Sequence, residues 1–277
     1  MKNLQKYDVV KNMAFMKQYF QERIGLYFPD MKGTELQSLQ ITILKDWPTR
    51  NSRYYIVKYT LKLKEGNRVI TRTIIVNLKT LRENRDFSAK LFRIISSQFN
   101  KKNSQVPRFL EYNSDFRMFV FEYSPGEKLR QKIEKGVPYH QHQFYVAECA
   151  RWLHKFHQLD PNIIYQYQTS QFESLADRMV FSMNKFEKIK RNPWRNLIIR
   201  TINKWLRIKA PQLPRKLTLV HGDFHPGNVI IHPKEMKITV IDFEKIRIFD
   251  PLFDLANFTV QYESMGFGFL SPSKIGI

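Results

Sequence analysis

His221-Gly222-Asp223-Phe224-His225-Pro226-Gly227-Asn228, followed by a second acid at Ile241-Asp242-Phe243-Glu244, fourteen residues beyond Asn228, is the stretch that decides the fold. Short apolar runs frame it. Leu217–Val220 before it, and Val229–Ile231 and Ile238–Ile241 after it, read as strands. An acid, an amide and a second acid therefore fall at strand ends. Phosphoryl transfer from a magnesium nucleotide needs that set: one carboxylate to orient the attacking hydroxyl, and an amide and a carboxylate to hold the metal. Asp and Asn also favour ordinary turns. Five fixed residue types within eight positions are nevertheless a far more specific signal than a lone glycine pattern.

Upstream, residues 7–24 carry apolar positions at helical spacing: Val9, Val10, Met13, Met16 and Phe20. Three strand-like runs follow, Leu39–Leu44, Tyr54–Leu63 and Val69–Leu78, with a turn at Lys64-Glu65-Gly66-Asn67-Arg68. Asp86–Phe99 reads as a helix, and Arg108–Tyr112 and Met118–Tyr123 as two more strands. Ser124-Pro125-Gly126 breaks the pattern and marks a boundary between lobes 1–123 and 124–277. Beyond it the chain turns helical over Gly126–Lys135, Gln143–Leu159 and most of residues 172–209.

With 277 residues the chain can bury a sizeable core in one large or two modest domains. Its apolar stretches are too short to span a bilayer, and its N-terminus lacks a secretory pattern. Cys149 is the single cysteine, so no disulfide forms within the chain, and its place on a helix face suits a buried, inert thiol. These features predict a soluble protein of a reducing cytoplasm. The formal charge of +21 favours polyanionic partners: nucleotide phosphates, a phosphorylated substrate, nucleic acid or a membrane surface. A generally basic surface without specific meaning is the competing reading.

On the His221–Asn228 and Asp242 motifs, together with Asp250-Pro251-Leu252-Phe253-Asp254-Leu255-Ala256, the chain resembles the aminoglycoside phosphotransferase and choline kinase family. The resemblance covers nearly the whole chain and is strongest over Phe119–Gly126, Val146–His157 and Leu217–Phe258. It implies an α+β, bilobal protein-kinase-like fold, with a small antiparallel β-sheet lobe and a mainly helical large lobe. It implies a phosphotransferase that uses Mg2+ and ATP or GTP. Asp223 becomes the catalytic base for the acceptor hydroxyl. Asn228 and Asp242 become the metal ligands, hard oxygen donors suited to magnesium. His225 stands where many protein kinases carry a lysine, leaving γ-phosphate contact and plain turn chemistry as open alternatives. His221 is expected to brace the loop. Asp250 and Asp254 are assigned structural roles, Asp254 capping a helix that starts near Leu255 and Asp250 doing the same one turn earlier.

The nucleotide lobe is less orthodox. Ile75, Asn77 and Lys79 share one strand face, so Val76-Asn77-Leu78-Lys79 resembles the kinase V-A-I-K tetrapeptide with Lys79 aimed at the phosphates. The partner glutamate of such a lysine is missing from Asp86–Phe99; the nearest acids are Glu83 and Asp86. The loop between the first two strands, Lys45–Arg53, contains no glycine, so Arg50, Asn51 and Ser52 become the candidate phosphate ligands through their side chains. Phe121–Gly126 matches the family's hinge, with backbone groups of Glu122 and Ser124 reading the base.

Between Arg178 and Lys216 stand twelve basic residues and one acid, Glu187. Like charges repel, which argues against a polycationic aminoglycoside acceptor and for an anionic or sugar-like one. The interleaved aromatics read first as core stripe, with membrane surface and nucleic acid as alternatives. Two further functions stay open: a kinase-scaffold binding or regulatory protein recognising a polyanion, and an antibiotic kinase. The chain ends nineteen residues after Phe258, where many members of that family continue. An open acceptor site, a completing partner or an incomplete sequence would each account for that.

Overall fold

A computed structural model describes residues 4–80, 85–99, 105–136, 138–162, 200, 204, 217–232, 234 and 236–269. The basic segment 178–216, apart from the isolated Arg200 and Lys204, lies outside them, as does Glu83. The chain divides into two compact units, residues 1–127 with 230–241, and residues 128–229 with 242–277.

The first unit is built on a five-stranded antiparallel sheet. Its strands are β1 (Glu35–Asp46), β2 (Tyr54–Glu65), β3 (Arg68–Lys79), β4 (Phe109–Asn113) and β5 (Met118–Glu122), in the order β1-β2-β3-β5-β4. The β2–β3 hairpin turns at Gly66, whose φ of +57° is the positive value that a tight two-residue hairpin asks of its first central residue. Strand β3 alternates as its sequence predicts: Ile74, Val76 and Leu78 are buried, while Ile75, Asn77 and Lys79 lie half-exposed on the other face. Strand β1 runs longer than its apolar pattern suggests, because bulges between Leu36 and Ser38 and between Ile43 and Lys45 interrupt the alternation.

The N-terminal segment covers the Ile74–Val76–Leu78 face. It forms a 3-10 helix (Leu4–Lys11), α1 (Met13–Gln21) and α2 (Ile24–Tyr27), with Met16, Phe20, Ile24 and Tyr27 buried against Val57, Tyr59, Val76 and Val120. The single helix expected over 7–24 is split at Asn12, whose side chain caps α1 by accepting the Phe15 N–H at 3.0 Å. Glu111 on β4 ties these helices down. Its carboxylate accepts hydrogen bonds from the hydroxyls of Tyr19, at 2.8 Å, and Tyr27, and pairs with Arg23 at 3.2 Å. Burial and the Glu111 carboxylate push the Tyr19 hydroxyl up to about 12. Helix α3 (Arg85–Phe99) lies between β3 and β4 in sequence, as expected.

The second unit contains β6's last residue, then α4 (Leu129–Glu134) and α5 (Tyr139–His157), where β6 is the short strand Glu127–Lys128. Further along come β7 (Thr218–Val220), a 3-10 turn (Pro226–Asn228), β8 (Val229–His232), β9 (Lys237–Val240), β10 (Arg247–Phe249) and α6 (Leu252–Phe269). Most of the β8–β9 hairpin groups with the first unit. Strand β10 was not legible as a strand; three residues among charged neighbours carry no period. It pairs antiparallel with β7, Arg247 opposite Val220. The core of this unit is aromatic. Trp152 stacks on Phe156 and Phe224 with centroids 4.9 and 5.5 Å apart, and Phe243 packs on His221 at 4.8 Å. Cys149 is buried, which pushes its thiol up, as its helix-face position suggests. Among the described residues, no helix is long and apolar enough to cross a membrane.

Truncating Glu111 should loosen the N-terminal cover. Glu111→Ala leaves two part-buried tyrosine hydroxyls and Arg23 without their acceptor, so a loss of about 2 kcal/mol or more is expected from the cost of an orphaned buried donor. Tyr27→Phe should cost about 1 kcal/mol. Denaturant unfolding midpoints read both, and an unchanged midpoint for Glu111→Ala would contradict this account.

Candidate active site

The His221–Asn228 loop is held from beneath by one carboxylate. Asp254 on α6 is fully buried and accepts the backbone N–H of His221 at 2.7 Å and of Gly222 at 2.9 Å. His157, at the end of α5, lies 3.0 Å from the same carboxylate. Asp254 therefore does not cap α6, as its sequence position suggested; that role falls to Asp250, whose side chain accepts the Leu252 N–H at 2.9 Å. Asn257, one turn beyond Asp254 on α6, donates to the Phe224 carbonyl at 3.1 Å. Sequence reasoning missed the His157 and Asn257 contacts. Their only trace was helical spacing on elements far apart in the chain.

Gly222 is required where it stands. Its φ is +77°, and a Cβ would collide with the carbonyl oxygen of Lys245. The rest of the loop satisfies itself. The His221 ring, buried as a brace was expected to be, accepts the Asp223 N–H through Nδ1 at 3.3 Å. His225 Nδ1 accepts the Gly227 N–H at 3.1 Å, and the His225 carbonyl accepts the Asn228 N–H at 2.8 Å. Asn228, buried, donates through Nδ2 to the Asp223 carbonyl at 3.1 Å. That bond commits the amide nitrogen and leaves the amide oxygen as the atom suited to a hard cation.

Asp223 itself is partly exposed, and its Oδ2 lies 2.8 Å from Lys245 Nζ, a contact that the sequence did not signal. Asp242 is exposed and adopts φ +67°, a left-handed conformation that Asp tolerates better than most residues. Asp223, His225, Asn228 and Asp242 all belong to the second unit. Burial, with the positive charges of Lys245, Lys128 and Arg130, lowers the His225 pKa against the opposing pull of Asp223. Among the described residues no group of three or more His, Cys, Asp or Glu could hold a metal ion. A site of one amide and one carboxylate completed by water and phosphate does not need such a group.

The candidate nucleotide residues belong to the first unit. Lys79 ends β3, with its ammonium 5.7 Å from the Tyr54 ring centroid. The glycine-free loop stands beside it, because the Arg53 N–H donates to the Thr80 hydroxyl at 2.8 Å and the Thr80 N–H to the Arg53 carbonyl at 3.0 Å. Asn51 is exposed at the tip of that loop. Ser52 is buried and its hydroxyl is bonded to Thr49 at 2.7 Å. The buried Arg85 of α3 donates to the Asn77 carbonyl and side chain at 3.3 and 3.1 Å and to the Lys79 carbonyl at 3.3 Å. Glu122 pairs with Ile74, five strand positions from Lys79, and its N–H donates to the Arg108 carbonyl at 2.9 Å. Ser124 follows in the half-exposed connection beyond β5.

Asp254→Ala strips two buried amide N–H groups of their acceptor, so it should cost about 3 kcal/mol or more, at 1–3 kcal/mol for each orphaned group. Hydrogen exchange at His221 and Gly222 should accelerate; unchanged protection there would refute the anchoring role. The His225 shift has a sign as well. Above about pH 6.5 the imidazole is neutral in the folded and unfolded states alike and its titration adds nothing. Below that value the unfolded chain takes up a proton that the folded loop resists, so stability falls as the pH falls. An NMR titration should put the His225 midpoint below that of an unfolded histidine.

A family model described as "APH: Phosphotransferase enzyme family" matches residues 59–267. Among curated proteins, acyl-CoA dehydrogenase family member 11 of Pongo abelii is 42% identical over 62 residues, 22% of this chain and 8% of that protein. The Rattus norvegicus protein of the same name is 39% identical over 178 residues, 57% of this chain and 21% of that protein. The chain thus spans about a fifth or less of the length of these relatives. A GDP complex of wild-type aminoglycoside 2'-phosphotransferase-IIIa superposes with a TM-score of 0.58 at 13% identity, covering 94% of this chain and 85% of that one. Choline kinase LicA from Streptococcus pneumoniae gives 0.50 at 17% identity, covering 94% and 82%. At such identities these likenesses speak for the fold, which is α+β and protein-kinase-like, as the motifs implied. With three quarters of its length matched, the chain belongs to the phosphotransferase enzyme family.

Proposed function

We propose that the chain transfers the γ-phosphate of a nucleoside triphosphate to a hydroxyl of a small molecule, with Asp223 as the catalytic base. The observation that carries this reading is the fixed loop. Asp254 holds its start, Asn228 hooks back to the Asp223 carbonyl, and the Asp223 carboxylate stays partly exposed. A base must reach the proton it removes, and this one is anchored through its backbone while its carboxylate stays partly open to solvent. The acceptor hydroxyl gives its proton to Asp223 as its oxygen bonds to the γ-phosphorus. The bond from that phosphorus to the bridging oxygen breaks, and the electron pair leaves with the nucleoside diphosphate.

Asn228, through its amide oxygen, and Asp242, through its carboxylate, would hold Mg2+. The ion, when bound, neutralises phosphate charge and aligns the transferring group. Lys79, Asn51, Ser52 and the backbone of Glu122 and Ser124 are the proposed nucleotide contacts. The committed hydroxyl of Ser52 makes its backbone the better donor. The acceptor is proposed to be anionic or sugar-like, on the strength of the +21 charge and the basic residues 178–216. Family members share the phosphoryl machinery and differ in the acceptor pocket, so the aminoglycosides and choline of the structural neighbours do not transfer to this chain.

One observation favours a second reading, a kinase scaffold that binds a polyanion with little catalysis. Arg85 donates to the Lys79 carbonyl from the start of a helix that carries no glutamate, beside a loop without glycine. Magnesium-dependent nucleotide binding with turnover would reject that alternative.

The test is transfer of labelled γ-phosphate from ATP or GTP into a mixture of hydroxyl metabolites. Asp223→Asn should lower the rate by about 10²–10⁴-fold. Asn228→Ala, Asp242→Ala or chelation of magnesium should each abolish transfer. Equal product from Asp223→Asn would end the mechanism.

A further inference from the structure

Lys245 lies three residues beyond Asp242, and its ammonium is 2.8 Å from Oδ2 of Asp223. The pair is not a chance meeting of two long side chains. Strand β10 pairs with β7 so that Arg247 faces Val220, and continuing that antiparallel register by two residues brings Lys245 opposite Gly222. The backbone contact agrees: Gly222, without a Cβ, packs directly on the Lys245 carbonyl. The residues flanking this position are also fixed, since Phe243 and Ile246 are buried. The main chain of Lys245 is therefore locked against the residue before Asp223, and its side chain needs only to turn toward the carboxylate.

Stability does not account for the contact. The Lys245 side chain is 58% exposed and that of Asp223 24% exposed, and an ion pair so open to water adds little to folding. Its effect is on orientation. A carboxylate on a short side chain can rotate about χ2, and a base must keep one oxygen aimed at the proton it takes. An ammonium on Oδ2 holds that rotation and leaves Oδ1 for the acceptor hydroxyl.

Resting on the proposed function, we infer that Lys245 is a positioning residue that fixes the Asp223 carboxylate for proton abstraction. The same ammonium places a positive charge at the mouth of the base, which suits an anionic acceptor.

The full chain can be tested without knowing the acceptor, using magnesium ATP with water as acceptor. Lys245→Met should lower kcat on the order of ten- to hundredfold, the cost of a misaligned group. The KM for magnesium ATP should stay within about twofold and the melting temperature should not change, because the pair is exposed and Lys245 is not among the proposed nucleotide or metal ligands. Lys245→Arg should restore most of the rate, since it can still donate to Oδ2. Wild-type kcat in Lys245→Met, or an arginine variant no better than methionine, would overturn the inference. A second readout needs no turnover. Acylation of the Lys245 amine, followed by mass spectrometry, should speed up in Asp223→Asn once the carboxylate is gone. No change would overturn the inference whatever the turnover. An Asp223-dependent amine in a wild-type protein that never turns over would instead overturn the proposed function, and this role with it.

Discussion

The carboxylate of Asp254 organises the second unit. It is fully buried, yet two backbone N–H groups and His157 surround it. Burying a carboxylate is costly unless hydrogen bonds replace water, and these replace it. In return the chain direction at His221 and Gly222 is fixed. A left-handed glycine, a histidine ring against Phe243 and a partly exposed candidate base follow from that. The loop carries few apolar side chains of its own, so it borrows rigidity from α5 and α6 through this one group.

The aromatic core serves the same end. Trp152, Phe156, Phe224 and Phe243 pack around His221, so the loop that bears polar chemistry is seated on rings rather than on flexible aliphatics. Large rings lose few rotamers on burial, which suits a seat that must hold a carboxylate within a fraction of an ångström. Across the first unit, Glu111 plays a comparable part. One acid gathers two tyrosines and an arginine and fastens the N-terminal helices to the sheet.

What the sequence made legible follows from how local each signal is. The alternation of Tyr54–Leu63 and Val69–Leu78 and the periodicity of Asp86–Phe99 are written within single elements, and the strands and helix stand within a residue or two of them. The loop from His221 to Asn228 declared itself because its residue types are packed into eight positions. Asp254 read as structural, and it is, but its partner is the loop rather than the helix start. An Asp near a helix start reads as a cap, and only the fold brings His221, 33 residues earlier, onto it. Lys245 gave no signal, because its meaning depends on a three-residue strand pair that has no period. Arg85 gave no signal either, because its bonds run to main-chain carbonyls of Asn77 and Lys79 on the preceding strand.

In the proposed function the loop presents one base, Asp223, and one amide oxygen, that of Asn228, to a metal-bound nucleotide. The most direct measurement places a paramagnetic ion in that position and watches the amide. Adding Mn2+ with nucleoside diphosphate to 15N-labelled protein should broaden the side-chain amide resonance of Asn228 beyond detection, while diamagnetic Mg2+ in its place should leave that resonance sharp. An Asn228 resonance that persists unbroadened at saturating Mn2+ and nucleotide would contradict the account.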